Sequence, residues 1–420
     1  MQASAKYRAW VVFLLFSGTM VNAIDRASLS VAAPTIIKEL GINAAEMGIA
    51  FSAFFWPYLI FNIFAGGLTD KFGEKKVMLW AASIWSVFSA LTGLVTTQSH
   101  LIFARIGVGI GESASFPVNN KVTNNTFPSE QRGMVTGWYT AGLRLGFSVC
   151  PLIMVFLQTR WSWRVAFYVT GLGSLLWAAI WYLTYKQSAV ATDKNSPNPK
   201  IPWRELLGSR AMIGLLLAKF FQDYLLYFFV TWLPGYLVIT HGFSLVQMGT
   251  YGSLMWFAGF VNQPFMGWVS DLLIRRGMSV TKARKSTIVC MMLMSSLVIV
   301  VGYTQDFMTC VWLLVLAVAC ESASGTICWT MCAEVAPKQA AASVAGIMNT
   351  AGALAGILSP SITGFILYIT GSFQKAMLLA GCMILTAAAI VIFVIPELKP
   401  IKLRQSEENS EQGLVSPAAK

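Results

Sequence analysis

Apolar stretches of roughly 20 residues, the length a helix needs to cross a bilayer core, recur along the whole chain, parted by short polar segments. "MLWAASIWSVFSALTGLV" and "MLLAGCMILTAAAIVIFVI" are two of them. None shows the alternating ten-residue segments of a membrane barrel. The pattern predicts twelve helical spans, near residues 10–36, 47–68, 77–97, 101–126, 133–156, 165–185, 209–239, 247–270, 286–304, 308–333, 343–369 and 374–396. Between the sixth and seventh lies "KQSAVATDKNSPNPKIPWREL", polar, with three prolines and no apolar period. That stretch predicts a loop dividing the chain into two six-span halves. The expected architecture is an all-α polytopic membrane protein: a bundle at 1–185, a linker at 186–208, a second bundle at 209–396 and a tail at 397–420.

Composition agrees, with 56% hydrophobic and 11% charged residues against about 25% charged in soluble domains. The net charge of +12 does not signal nucleic acid, because no basic cluster falls on a soluble domain. With a cytoplasmic N-terminus, most of the Lys and Arg fall on cytoplasmic segments, among them Lys71, Lys75, Lys76, Arg275, Arg276, Arg284 and Lys285. Only Lys38, Arg160, Arg164 and Lys375 fall outside. This asymmetry predicts both termini in the cytoplasm. "VNA" after the first apolar stretch resembles a signal-peptide cleavage site, yet the stretch runs on helically past Asp25 to Pro34. The seven cysteines are scattered without CxxC spacing, and the two histidines, His100 and His241, fall in predicted outer loops. A metal site, a catalytic constellation and a nucleotide-binding GxxxxGK[ST] loop are therefore not expected.

The halves repeat each other. "ESAS" occurs as "VGIGESASFP", headed by Glu112, and as "AVACESASGT", headed by Glu321. "GGLTDKFGEKK" after the second span answers "GWVSDLLIRRG" after the eighth, with Asp70 and Asp271 201 positions apart. "TAGLRLGFSVCP" answers "TAGALAGILSP", placing Gly142 and Gly146 each 210 positions before Gly352 and Gly356. The tetrapeptide is thus a matched position in a duplicated unit. "GGLTDKFGEKK" resembles the loop signature of the major facilitator superfamily. "DR" in span 1, "FSAFFWPY" in span 2, Arg105-x6-Glu112 in span 4 and "WLPGYL" in span 7 resemble its anion:cation symporter family, which handles hexuronates, galactonate, glucarate and phthalate. The resemblance implies two pseudo-symmetric bundles around a central site, with spans 1, 4, 7 and 10 lining it.

Eight charged residues fall clearly inside spans, away from their ends: Asp25, Arg26, Arg105, Glu112, Arg144, Lys219, Asp223 and Glu321. Each costs at least about 2.5–3.5 kcal/mol at mid-bilayer unless it faces a partner or water. Seven of them lie in spans 1, 4, 7 and 10, and the eight charges sum to zero. Arg105 and Glu112 share a helix face, about 10 Å apart along the axis, so Arg105 is expected to pair with ionised Glu112. Asp25 and Arg26 project about 100° apart and cannot serve one contact. The expected roles are Arg26 gripping a substrate carboxylate, and Asp25 and Glu112 carrying the proton. Lys219 and Asp223, four residues apart, are expected to pair with each other. Glu321 lacks an arginine on its own helix, because Leu314 stands where Arg105 stands in the first half; Arg144 and Lys219 are its candidate partners.

The resemblance adds Tyr58, Trp329 and Asn349 as contacts to the body of the substrate, and Asp70 as a cytoplasmic latch that meets a helix N-terminus, with Arg132 as its basic companion; Arg144 is a further expected substrate contact. Ala23, Leu143 and Arg144 depart from the sugar-acid pattern and leave dicarboxylates, sulfonates and aromatic acids open. The expectation is a non-enzyme of the inner membrane, monomeric, without cofactor, that imports a small organic anion with protons. An exchanger or facilitator of the same fold is the alternative. The short tails speak against a membrane sensor.

Overall fold

The structure, a computed structural model, describes residues 4–187, 203–337 and 340–401, the side chains at 129, 130 and 341–343 excepted. The parts of the expected linker at 188–202 and of the expected tail at 402–420 lie outside the described residues. Twelve long helices occur where the apolar pattern predicts spans. They are α1 (Ala5–Leu40), α2 (Ala44–Phe72), α3 (Glu74–Thr92), α4 (Gln98–Thr126), α5 (Ser129–Arg160) and α6 (Trp163–Thr184), then α7 (Arg210–His241), α8 (Leu245–Arg275), α9 (Val280–Val301), α10 (Phe307–Val335), α11 (Ala341–Thr370) and α12 (Phe373–Phe393). A short helix, Trp203–Gly208, precedes α7. Among the described residues ten helices are long and apolar enough to cross a membrane on composition alone. α3 and α8 fall short, because Glu74, Lys75 and Lys76 open the first and Gln247, Asn262 and Gln263 interrupt the second. Both nevertheless pack as full members, α3 between α4 and α6 and α8 between α5 and α10.

The duplication is built into the turns. α1 and α7 end on left-handed glycines 201 positions apart, Gly41 (φ 64°) and Gly242 (φ 65°), where a side chain would be strained. Each is followed by a capping box on the next helix, Asn43 with Glu46 before α2 and Ser244 with Gln247 before α8. Different residue pairs thus satisfy the same orphan N–H groups. Packing repeats too: α1 lies on α5 as α7 lies on α11, α2 on α4 as α8 on α10, and α3 on α6 as α9 on α12. A methyl on Gly142 would lie 2.3 Å from the Phe16 carbonyl, and one on Gly146 2.4 Å from that of Met20, so glycine sets the close α1–α5 approach.

Three helices are interrupted. α2 breaks between Ser52 and Phe55, α4 between Glu112 and Ser115, and α9 between Ser295 and Val298. In α2 and α4 a proline stands four residues beyond the break, and its missing N–H frees the carbonyls of Ala53 and Ser113. The Ser113 oxygen accepts a bond from Asn62 Nδ2 of α2 instead (2.9 Å). In the second copy Thr326 replaces Pro117, and α10 runs unbroken through Glu321–Ser324.

The two six-helix bundles meet along α1–α7, α2–α11 and α5–α8. Ser52 Oγ donates to the Ile357 carbonyl (2.6 Å), Ser361 Oγ to Ser52 Oγ (2.7 Å), and Ser148 Oγ to the Ser253 carbonyl (3.1 Å). A methyl on Gly48 would lie 2.6 Å from the Pro360 carbonyl. These contacts sit in the halves of the helices remote from the two ends of the chain, and they close the bundle there. Among the described residues the halves nearest those ends make no such hydrogen bond, and Trp329 on α10 is 38% exposed.

Candidate functional site

Phe54, within the α2 break, and Tyr58, one turn beyond it, form the floor of the first group of charges. The Arg26 guanidinium lies 4.8 Å from the Phe54 ring centre and 5.2 Å from that of Tyr58. Arg26 Nε and Nη2 both donate to Glu112 Oε2, at 3.1 and 2.8 Å. Glu112 is the last residue before the α4 break and is fully buried, so the loosened helix delivers it to α1. Arg105 does not pair with Glu112, contrary to the spacing argument. Its guanidinium lies 5.5 Å from the Phe54 ring centre, and its Nε and Nη1 are buried without a hydrogen-bond partner. The same ring therefore carries two arginines, and only Arg26 has an anion. α1 approaches closely enough to present a two-pronged partner first.

Asp25 looks away from this group. It is fully buried and accepts bonds from Ser89 Oγ of α3 (2.7 Å) and from Ser174 Oγ of α6. It has no ion pair among the described residues. The expectation that Asp25 and Arg26 serve different contacts holds, but the acid faces α3 and α6.

A second group crosses between the bundles. Arg144 Nη1 of α5 lies 3.8 Å from Glu321 Oε2 of α10, and Glu321 Oε1 accepts a bond from Gln222 of α7. Trp256 lies under Arg144, 6.0 Å away. The duplicated glutamates thus each hold an arginine, but from different helices. In a third group Lys219 Nζ donates to Asp223 Oδ1 at 2.6 Å, one turn apart as expected, with Nζ 5.4 Å from the Trp329 ring centre. A methyl on Gly352 would lie 2.2 Å from Asp223 Oδ2, so α11 closes on this pair. Asn349 is half-buried one turn earlier on α11. Tyr227 of α7 joins the groups: its ring centre is 4.5 Å from that of Phe55, and its hydroxyl interacts electrostatically with Arg26, Tyr58, Asp223 and Arg144.

The expected latch residues Asp70 and Arg132 take separate partners. Lys121 Nζ donates to Asp70 Oδ1 (2.8 Å), while Arg132 bonds the carbonyls of Phe127 and Asn124 at the end of α4. An exposed acid beside a lysine of its own bundle takes the nearer cation. In the second half Arg284 Nη1 meets Asp271 at 2.7 Å. Phe54, Ser89, Ser174, Gln222 and Tyr227 were not singled out by sequence. A serine in an apolar helix usually bonds its own i−4 carbonyl, as Ser86 does with Ala82, so Ser89 carried no separate signal.

A set of buried cations, each beside an acid or an aromatic face, suits recognition of an anion that exchanges with the acid. The family pattern described as Major Facilitator Superfamily matches residues 15–360 and 277–419. The probable galactarate/D-glucarate transporter GudP of Bacillus subtilis (strain 168) is 32% identical, over 97% of this chain and 96% of its own. The hexuronate transporter of the same organism is 33% identical, over 92% and 94%. Among solved structures a D-xylose–proton symporter superposes with a TM-score of 0.80 at 15% identity, covering 94% of this chain and all of its own. Because the match runs through the charged helices as well as the lipid-facing ones, the chain belongs to the Major Facilitator Superfamily of membrane transporters, as a relative of the galactarate/D-glucarate and hexuronate transporters.

Proposed function

We propose that the protein imports a small organic anion, a sugar acid or related carboxylate, together with protons by alternating access. The observation that carries this reading is the Arg26–Glu112 pair. Arg26 is the cation best placed for a carboxylate, forked and backed by two rings, and among the described residues it pairs with Glu112 alone. The eight charges of the expected spans sum to zero, so an entering anion leaves one negative charge uncompensated in a dry site, at a cost of several kcal/mol. A proton on Glu112 removes that cost and frees Arg26 at once. Anion and proton then favour each other's binding by the same factor. Asp25, buried and without an ion pair among the described residues, is the second proton site. Arg105 supplies positive potential beside the bound anion. Tyr58, Trp329 and Asn349 remain the proposed contacts to the body of the substrate.

The relatives named for galactarate, glucarate and hexuronate support a sugar acid. The distribution of Lys and Arg supports an inner-membrane carrier with both termini in the cytoplasm. The bundles at 1–185 and 209–396 then act as the two rocking bodies of a monomer that needs no cofactor beyond the proton. The test is uptake into proteoliposomes holding the purified protein. Counterflow against a panel of sugar acids, dicarboxylates, sulfonates and aromatic acids identifies the substrate, and an imposed pH gradient then measures coupling. Accumulation should follow the gradient in the wild type and be lost in Asp25→Asn with Glu112→Gln. Wild-type accumulation by that double variant refutes the proton roles, and counterflow that ignores the gradient makes the protein an exchanger.

A further inference from the structure

The Arg144–Glu321 pair is poorly made for a strut between the bundles. Its separation is 3.8 Å, against 2.8 Å and two bonds for Arg26 with Glu112. Arg144 Nη1 and Glu321 Oε2 are both buried and both lack a hydrogen-bond partner. Leaving charged atoms unsatisfied away from water is costly, so each of these two atoms can take a further polar partner. Facing them is a glycine. A methyl on Gly325 would lie 3.3 Å from Gln222 Nε2 and 3.6 Å from Arg144 Nη2. The space beside the guanidinium is therefore kept free of side chain.

We propose that Arg144, with Glu321 and Gln222, forms a second anion subsite, and that the substrates are dianions whose acidic groups are held at Arg26 and at Arg144. The proposal rests on the transport reading above and narrows its substrate class. Arg26 and Arg144 both lie within electrostatic reach of Tyr227 of α7. They belong to one bundle, while Glu321 and Gln222 belong to the other, so a dianion at both arginines meets the two halves together. Each acidic group takes the place of one glutamate, and each displaced glutamate takes a proton from the side of entry. Glu112 is faced by Arg26 of α1, by Arg105 of its own helix and by Asp25. Glu321 is faced by Arg144 of α5 and by Gln222, Lys219 and Asp223 of α7. Two protons per dianion keep the sum of charges at zero.

Galactarate and D-galactonate test this directly, because they differ only at one terminal carbon, carboxylate in the first and hydroxymethyl in the second. Binding is measured on the purified full-length protein by calorimetry. The wild type should bind galactarate at least tenfold more tightly than galactonate. Arg144→Gln should weaken galactarate binding at least tenfold more than galactonate binding, and Arg144→Lys should restore part of the difference. Gly325→Val, which keeps every charge and narrows the space, should weaken galactarate selectively as well. Coupled uptake should count two protons per galactarate. Equal wild-type affinities, or equal losses in Arg144→Gln, make Arg144 a strut and overturn the proposal while the transport reading stands. Binding of neither acid also overturns the proposal, and the transport reading falls with it only if counterflow fails across the whole panel. A monodisperse elution and a melting temperature within a few degrees of wild type qualify each variant for the comparison.

Discussion

Arg26 meets Glu112 through two nitrogens and stacks over Phe54 and Tyr58. Lysine at this position would keep the charge and lose both the fork and the stack. Arg26→Lys is therefore expected to weaken anion binding at least tenfold while the protein stays folded, read by calorimetry beside a melting curve. Arg105 makes the opposite prediction for stability. It is a buried cation with two unsatisfied nitrogens, so Arg105→Gln should raise the melting temperature by a few degrees and slow uptake at least fivefold. A lower melting temperature would show that Arg105 serves the fold instead. Both residues were legible as membrane charges, because a cost of about 2.5–3.5 kcal/mol per charge makes an idle arginine improbable in a span. Their pairing was not legible. The seven-residue spacing placed Arg105 on the Glu112 face correctly, but which arginine takes the carboxylate depends on how far α1 turns toward α4. Nothing local in the sequence records that rotation. The partner of Asp70 was not legible for the same reason, since Lys121 lies 51 positions away along the chain.

The elements were the most legible level, because length, apolar period and caps are local properties. The spans, the turn glycines and the two capping boxes all follow from residues within a few positions of one another. The breaks required one further step. The two "ESAS" copies differ at Pro117 and Thr326, and a missing N–H in the first is enough to separate a broken α4 from a continuous α10. Pro117→Ala should restore the bond to the Ser113 carbonyl in competition with Asn62 and straighten the helix beneath Glu112. The expected result is a melting temperature at or above wild type with uptake reduced at least fivefold. Unchanged uptake would mean that the break positions Glu112 no better than a regular helix does. The α1–α5 contact bears the reverse burden. Gly142→Val places bulk within 2.3 Å of the Phe16 carbonyl, and overpacking of about 1–3 kcal/mol should show as a lower melting temperature and a smaller folded yield.

At the scale of the whole molecule, the bundles are closed by small groups: serine hydroxyls on carbonyls, and Gly48 against Pro360. Gly48→Leu should wedge α2 from α11 and shift the population toward the state open on that side. With Cys290 and Cys382, the exposed native thiols, replaced by serine, a cysteine at Trp329 should label at least threefold more slowly from the side nearest the chain ends. Unchanged labelling would show that the α2–α11 contact does not gate access. The duplicated plan was readable from the paired motifs, whereas the closed end was not, because its bonds join residues about 300 positions apart. Asp25 and Arg26 extend this argument. They are neighbours in the chain that look in opposite directions, one into the serines of α3 and α6 and the other into the central volume. A proton on Asp25 and a solute at Arg26 then occupy separate sites joined through one turn of α1, while the proton on Glu112 shares the solute's site. A carrier built this way slips when that turn softens: Ala27→Gly should let protons leak with no solute aboard, seen as faster collapse of a pH gradient across empty vesicles.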